Sequence, residues 1–333
     1  MLLRIKAFFT AVILFFSCIG ITGTLQKSEM KLSNPDASPE AKELYRYICE
    51  ISSEYVLSGQ QEGFSSPGKN DENDYIFEAS GKYPAIRGFD FIDDDFDGVC
   101  ERAEEWHNKG GIVTICWHSG KNFDEGYEEC LNDTVKNWNS ILKDGTKENA
   151  EFIKNMDNAG NALKKLQEKE IPVLWRPFHE FNGKWFWWGK GGADNFKRLW
   201  KMMYNHFVND LGLDNLIWVL GYSQNHVSLF DFCNWYPGDE YCDIVGADSY
   251  NVGDYGAEKS LYDKCMKVTR GKKPLFMHEC GTIPTEEQFE KAPWCGFVTW
   301  HSEYLINTNS KESLNKTYNS QRVITLDELD FRK

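Results

Sequence analysis

Beyond residue 40 the chain alternates short, nearly continuous apolar runs with longer amphipathic or polar stretches. Eight runs stand out, at residues 55–60, 84–89, 112–117, 172–178, 216–220, 244–247, 274–278 and 296–300. Such short unbroken runs suit strands buried on both faces of a parallel sheet. Between several of them lie patterns of helical period, as at 154–169 and 195–209. Eight strands alternating with helices predict a single-domain α/β protein, a (β/α)8 TIM barrel over residues 41–333. No tandem repeat, low-complexity tract or second composition regime divides the chain.

The polar residues at the ends of these runs form a pattern of their own. Gln60, Asp90, His118, His179, Glu180, Asp248, Tyr250, Glu279 and Trp300 fall at or just past C-terminal ends. In a barrel those ends open onto the face that carries chemistry, so the pattern predicts a site there.

Composition narrows the partner. Aromatic residues make up 15%, with 12 Trp, which implies either ligand-stacking faces or an aromatic-rich core. A net charge of −14 argues against nucleic acid, which needs a basic footprint, and suits a neutral substrate. Residues 1–23 read as a secretory signal: Arg4 and Lys6 precede a short apolar run from Ala7 to Phe16. A lipobox reading competes, with Cys18 as an acylated anchor. No segment reaches the length of a membrane span, and the expected product is secreted or held at the cell surface. Residues 24–40, with Pro35 and Pro39, read as a linker. Nine cysteines follow Cys18, an odd count that leaves a free thiol. Cys233–Cys242 and Cys100–Cys130 are the expected pairs, with Cys116 and Cys280 buried and reduced.

The densest chemistry lies at residues 175–189, where a strand ends in Arg176, His179 and Glu180 and opens into a loop holding Trp185 and Trp188. Charges beside so much apolar surface must be paired or functional, and an Arg176–Glu180 salt bridge is the purely structural reading. Glu279 ends another run, three strands further on. Two carboxylates facing across a barrel mouth can share acid–base and nucleophilic work if their surroundings split their pKa values. Apolar walls would raise Glu180, and a hydroxyl donor, for which Tyr250 is the candidate, would hold Glu279 ionised. Neither His-Glu dipeptide has a second His four residues on, so a zincin helix is excluded. A zinc site assembled from His118, His179 and His278 is the remaining metal reading, and no cofactor is expected. Neither a GxSxG elbow nor a phosphate-binding GxxxxGK[ST] loop occurs.

RPFHEFNGKWFWWG at 176–189 resembles the signature of family-26 glycoside hydrolases, best known for endo-β-1,4-mannanases. The order of features is similar from Tyr55 to Trp300: PAIRGFDF, then WH, ADSYN, a Glu-x-Gly segment and a final Trp. The resemblance implies a clan-A barrel acting with retention, with Glu180 as acid/base and Glu279 as nucleophile. His118, Arg176, His179, Phe181 and Tyr250 match positions that line the −1 subsite or orient the carboxylates, and Trp300 matches the platform beneath that sugar. Trp185 and Trp188 are further substrate-binding candidates. His179 is informative, because many other clan-A families carry Asn before the acid/base. The chain departs where His301-Ser302 follow Trp300, since Arg and Asn are common there, and His278 before the nucleophile is atypical.

The expected activity is therefore endo-cleavage of β-1,4-mannosidic bonds in mannan, glucomannan or galactomannan by a monomer. Mixed-linkage β-glucan and β-1,3-xylan are the alternatives within this chemistry. A non-catalytic, tethered glycan-binding protein is the alternative outside it.

Overall fold

A computed structural model describes residues 30–63, 71–123, 126–224, 228–250 and 258–332. The predicted signal, Cys18 and the first part of the linker lie outside the described residues.

The eight expected strands form one closed parallel barrel. They are β1 (Val56–Leu57, resuming at Gly59–Gln61), β2 (Ile86–Asp90), β3 (Ile112–Cys116), β4 (Val173–Arg176), β5 (Leu216–Ser223), β6 (Ile244–Asp248), β7 (Leu275–Cys280) and β8 (Gly296–Thr299). Each pairs in parallel with its successor, and β8 closes the ring on β1 through Leu57↔Gly296 and Gln60↔Thr299. A ninth strand, β9 (Val323–Ile324), adds to β1 from outside and was not foreseen from the pattern.

Residue parity explains why the strands read as unbroken apolar runs. On β4, Val173 and Trp175 belong to the large cluster under the helices, while Leu174 packs inside the barrel with Ile112, Ile217, Val219, Ile244, Phe276 and Val298. Both faces are dry, so neither carries the polar alternation of a half-exposed strand. The helix α1 (Pro39–Ile51) sends Ala41, Leu44, Tyr45 and Ile48 into the interior cluster and so plugs the N-terminal mouth. The supposed linker is part of this plug. Leu32, Asn34 and Ala37 are buried, and the Ser33 amide donates to the buried Asp243 carboxylate at 2.5 Å. Its polar composition reflects backbone groups that must be satisfied where the chain crosses the barrel base.

The outer layer comprises α2 (Asp71–Ser80), α3 (Phe96–Asn108), α4 (Tyr127–Asn132), α5 (Trp138–Leu142), α6 (Lys147–Gln167), α7 (Trp187–Lys190), α8 (Ala193–Asn205), α9 (Leu229–Asn234), α10 (Lys259–Thr269), α11 (Glu286–Lys291), α12 (Glu303–Ile306) and α13 (Lys311–Tyr318). The two helices read from periodicity are α6 and α8. α6 starts seven residues earlier than expected, at the Thr146 cap whose side chain accepts from the Asn149 amide.

Seven of the twelve tryptophans, including Trp188, are almost wholly buried. Most of the aromatic surplus is therefore core. All nine cysteines from Cys49 to Cys295 are free thiols, which corrects both expected disulfides. Cys242 is buried with its Sγ against Tyr236 Oη and the Gly238 carbonyl, whereas Cys233 is exposed. Cys100 points its Sγ at the Ala162 carbonyl on α6 instead of at Cys130.

Candidate active site

The C-terminal ends of the strands surround a cleft of about 570 Å³, lined by His118, His179, Glu180, Trp185, Phe186, Tyr250, Glu279 and Trp300 among others. That volume lies in the range of small-molecule sites. A larger depression of about 730 Å³ lies at the opposite end, around Met30–Pro35 and α1. It is lined by apolar and scattered charged residues without a pair of carboxylates, so the chemistry belongs to the smaller cleft.

Glu279 ends β7 and enters the cleft with both oxygens engaged. Arg176 Nη1 donates to its Oε1 at 2.8 Å, and the Tyr250 hydroxyl donates to its Oε2. Arg176 is fully buried and also donates through Nη2 to Asp248, whose Oδ1 in turn accepts from the Glu279 amide at 2.6 Å. Burial works against the Arg176 cation, but Asp248 and Glu279 outweigh it and raise its pKa above the ordinary value. The guanidinium joins the two carboxylates through charge-assisted bonds; burial nonetheless holds the Asp248 carboxyl well above its ordinary value, with Arg176 opposing that shift. The hydroxyl donor expected for Glu279 is thus in place.

Glu180 leaves β4 in a tight turn. Its φ is 54°, its amide donates to the Gly221 carbonyl at 2.7 Å, and the turn that follows is pinned by Asn182 accepting from the Ser223 amide at 2.8 Å. A left-handed conformation at a non-glycine residue is sparsely populated, and these bonds to β5 hold it. Burial lifts the Glu180 pKa to about 7, helped by the nearby Glu279 charge. Arg176 opposes the shift, as does Trp185, whose Nε1 donates to Glu180 Oε2 at 2.8 Å. The Arg176–Glu180 ion pair of the purely structural reading does not form, because Arg176 instead bridges Asp248 and Glu279. That leaves Glu180 the less compensated carboxylate.

Two imidazoles line the cleft together with the carboxylates. His118 and His179 meet edge-to-face with centroids 4.5 Å apart. Burial disfavours a charged His118, yet Asp90 at its Nδ1 prevails and raises its pKa. Burial and the Arg176 charge hold His179 well below its ordinary value, and its Nε2 lies 3.7 Å from Glu279 Oε1. As for metal binding, ligand atoms of His179, Asp248 and Glu279 lie within 4.8 Å of one another. The Arg176 guanidinium already supplies the positive charge there, bonded to both carboxylates. In the other such group, Asp90, Cys116 and His118, the His118 ring is bonded to Asp90.

Not every predicted site residue reaches the cleft. Phe181 is fully buried and stacks on Phe196 at 4.0 Å, facing the helices. Trp188 is equally buried, and its Nε1 supports the cleft indirectly by donating to the His179 carbonyl at 2.7 Å. Arg176 lies beneath the floor, behind Glu279. Trp300 keeps only 9% of its surface, placed 6.0 Å from His118. Conversely, Tyr127, Leu131, Phe186, His301 and Tyr304 line the cleft without having been singled out as binding residues. Tyr127 and Leu131 come from α4, inside the long excursion between β3 and α6. Nothing in a strand pattern signals that an excursion folds back over the mouth.

A closed eight-stranded barrel with two carboxylates of unlike surroundings at its strand ends defines a glycosidase-type site. The sequence profile of Glycosyl hydrolase family 26 matches residues 33–328, and the chain belongs to that family. It is 33% identical over 325 residues to a mannan endo-1,4-beta-mannosidase of Thermothelomyces thermophilus, covering 90% of this chain and 63% of that protein. Against two mannan endo-1,4-beta-mannosidases of Piromyces sp, the chain spans about half of the relative's length (50% and 53%). Among solved structures, the fold is similar to a ruminal family-26 endo-beta-1,4-mannanase, with a TM-score of 0.82 at 32% identity, covering 92% of this chain and 72% of that one. It is also similar to the beta-mannanase of a symbiotic protist of the termite Reticulitermes speratus, complexed with gluco-manno-oligosaccharide. There the TM-score is 0.81 at 31% identity, over 90% of this chain and 98% of that one. No helix of the described residues is long and apolar enough to cross a membrane.

Proposed function

We propose that this chain is a retaining endo-β-1,4-mannanase acting on mannan, glucomannan or galactomannan. The observation that carries the reading is the asymmetry of the two carboxylates in one cleft. Glu180 is raised to about 7, so much of it keeps a proton near neutrality, while Arg176 and the Tyr250 hydroxyl occupy both oxygens of Glu279. In this reading Glu180 gives its proton to the leaving glycosidic oxygen as Glu279 attacks the anomeric carbon, forming a glycosyl-enzyme. Glu180, now ionised, takes a proton from water as the water oxygen displaces Glu279.

Neutral sugars suit the lining, which contains no Lys or Arg among the described residues. The names of the relatives and the gluco-manno-oligosaccharide bound in one of them support mannan as the backbone. Residues 1–23 are read as an export signal, with Cys18 as an alternative lipid anchor. A monomer fits the scarcity of large exposed apolar side chains: among the described residues six stand out, and two of them, Tyr127 and Tyr304, line the cleft.

The decisive experiment is Glu279→Ala with added azide on a manno-oligosaccharide. Rescue should give a glycosyl azide of anomeric configuration opposite to the substrate. Absence of rescue, or an azide of the substrate's own configuration, would remove Glu279 from the nucleophile's role. Product profiles on galactomannan, glucomannan, mixed-linkage glucan and β-1,3-xylan test the substrate, and preferential turnover of either of the last two would overturn the mannan assignment.

A further inference from the structure

We propose that Asn309, outside the cleft, is a positioning residue that sets the geometry of the Tyr250–Glu279 contact. The inference rests on the functional reading above.

Asn309 follows α12 and is 3% exposed. Its side chain makes three bonds. Oδ1 accepts from the Ile283 amide at 2.9 Å, while Nδ2 donates to the Gly281 carbonyl at 2.8 Å and the Tyr304 carbonyl at 3.0 Å. It thereby ties the segment immediately after Glu279 to the short helix bearing Tyr304. α12 has only four residues, too few to hold its own position, so an external tie must do so.

Both tied elements press on Tyr250. The Tyr304 ring lies 4.8 Å from the Tyr250 ring. A Cβ at Gly281 would stand 3.3 Å from Tyr250 Cδ1 and 3.5 Å from Tyr304 Cδ1, so the bare backbone of Gly281 is the third side of this packing. The Gly281 amide also donates to the Ser249 carbonyl at 2.8 Å, and the Ser249 amide to the Glu279 carbonyl at 2.9 Å. Tyr250 is thus held between Tyr304 and Gly281 with its hydroxyl on Glu279, and one amide side chain fixes the spacing of those two walls. An amide suits the task because only it supplies an acceptor and two donors from one planar group.

The test is a double-mutant cycle between Asn309→Asp and Tyr250→Phe, read as kcat and KM on a linear manno-oligosaccharide. Aspartate keeps the acceptor for Ile283 but withdraws both donors. Asn309→Asp alone is expected to lower kcat about tenfold or more, with KM changed by less than about threefold, as for a sub-ångström misplacement of a reacting group. In the Tyr250→Phe background the same substitution should cost less than about twofold, because the element it positions is gone. Thr317→Ala, which removes a buried bond at 3.3 Å to the Pro284 carbonyl of the same loop, serves as a control with comparable loss of melting temperature and unchanged kcat. Equal losses in both backgrounds, or a folded Asn309→Asp with wild-type kcat, would overturn the proposal. Should Asn309→Asp fail to fold, Asn309→Ser, which retains one donor and one acceptor, is put through the same cycle with the same criteria. A wild-type chain inactive on every mannan would sink the functional reading and this proposal with it, whereas an active wild type with additive losses would sink this proposal alone.

Discussion

Replacing Glu180 by glutamine separates the chemistry of this residue from its cost to the fold. Burial and the Glu279 charge raise its pKa from 4.5 to about 7. At pH 7 roughly half the chains then carry the proton, where an ordinary glutamate would carry it about once in 300. The same shift has an energetic sign. A folded-state pKa above the unfolded value means stability fully present below about pH 4.5 and lost as pH rises through about 7. Glutamine keeps the shape, can accept from Trp185 Nε1 and carries no charge to bury. Glu180→Gln should therefore equal the wild type in stability at pH 4 and exceed it at pH 8 by on the order of 2–3 kcal/mol, the lower end allowing for partial solvent access. Urea midpoints at pH 4, 6 and 8 measure this. Activity should move the other way: turnover of mannan falls about 10²–10⁴-fold, and the basic limb near pH 7 disappears on a substrate whose leaving group needs no proton. A stability difference independent of pH, or a limb that survives the substitution, would refute the assignment of a buried, raised carboxyl at Glu180.

Two further predictions follow from the packing. Arg176→Leu strands two carboxylates, Asp248 and Glu279, in a buried site and should cost about 3–5 kcal/mol by thermal or urea unfolding. Arg176→Lys should recover little of it, since a single ammonium cannot reproduce two guanidinium contacts; recovery to wild type would show that charge alone suffices. Of the nine cysteines in the described residues, only Cys233 is exposed. A thiol reagent should therefore modify Cys233 quickly in the native chain and the other eight only after unfolding without reductant; fewer than nine reactive thiols from Cys49 to Cys295 would show a disulfide.

Much of the barrel and its candidate carboxylate pair is written in the sequence. Strands enclosed on both faces must be apolar at consecutive positions, so all eight runs were legible without any contact information. Chemistry in such a barrel must sit where the strands run out, which singled out Glu180, Glu279, His118, His179 and Tyr250 before any distance was available. The segment at 176–189 added the family. Local pattern likewise located α6 and α8, because burial on one side imposes a 3.6-residue period.

Other features depended on folding alone. Phe181 and Trp188 share the signature segment with Glu180, yet the turn at Glu180 and the packing of α7 send both into the core, and no linear pattern distinguishes the two outcomes. The cysteine pairings failed for a related reason, since closeness in sequence or composition does not fix where Cβ vectors point. Residues 30–38 look like a polar linker because their burial is satisfied by hydrogen bonds across the barrel base, to partners such as Asp243 that lie some two hundred residues away. Tyr127, Tyr304 and Asn309 acquire their meaning from excursions that fold over the mouth. Strand ends are a local property, so the linear pattern alone was enough to nominate Glu180 and Glu279 as the candidate pair. Which aromatic side chains line the cleft, and what packs around Tyr250 beside Glu279, emerged from the fold, because both depend on distant segments meeting.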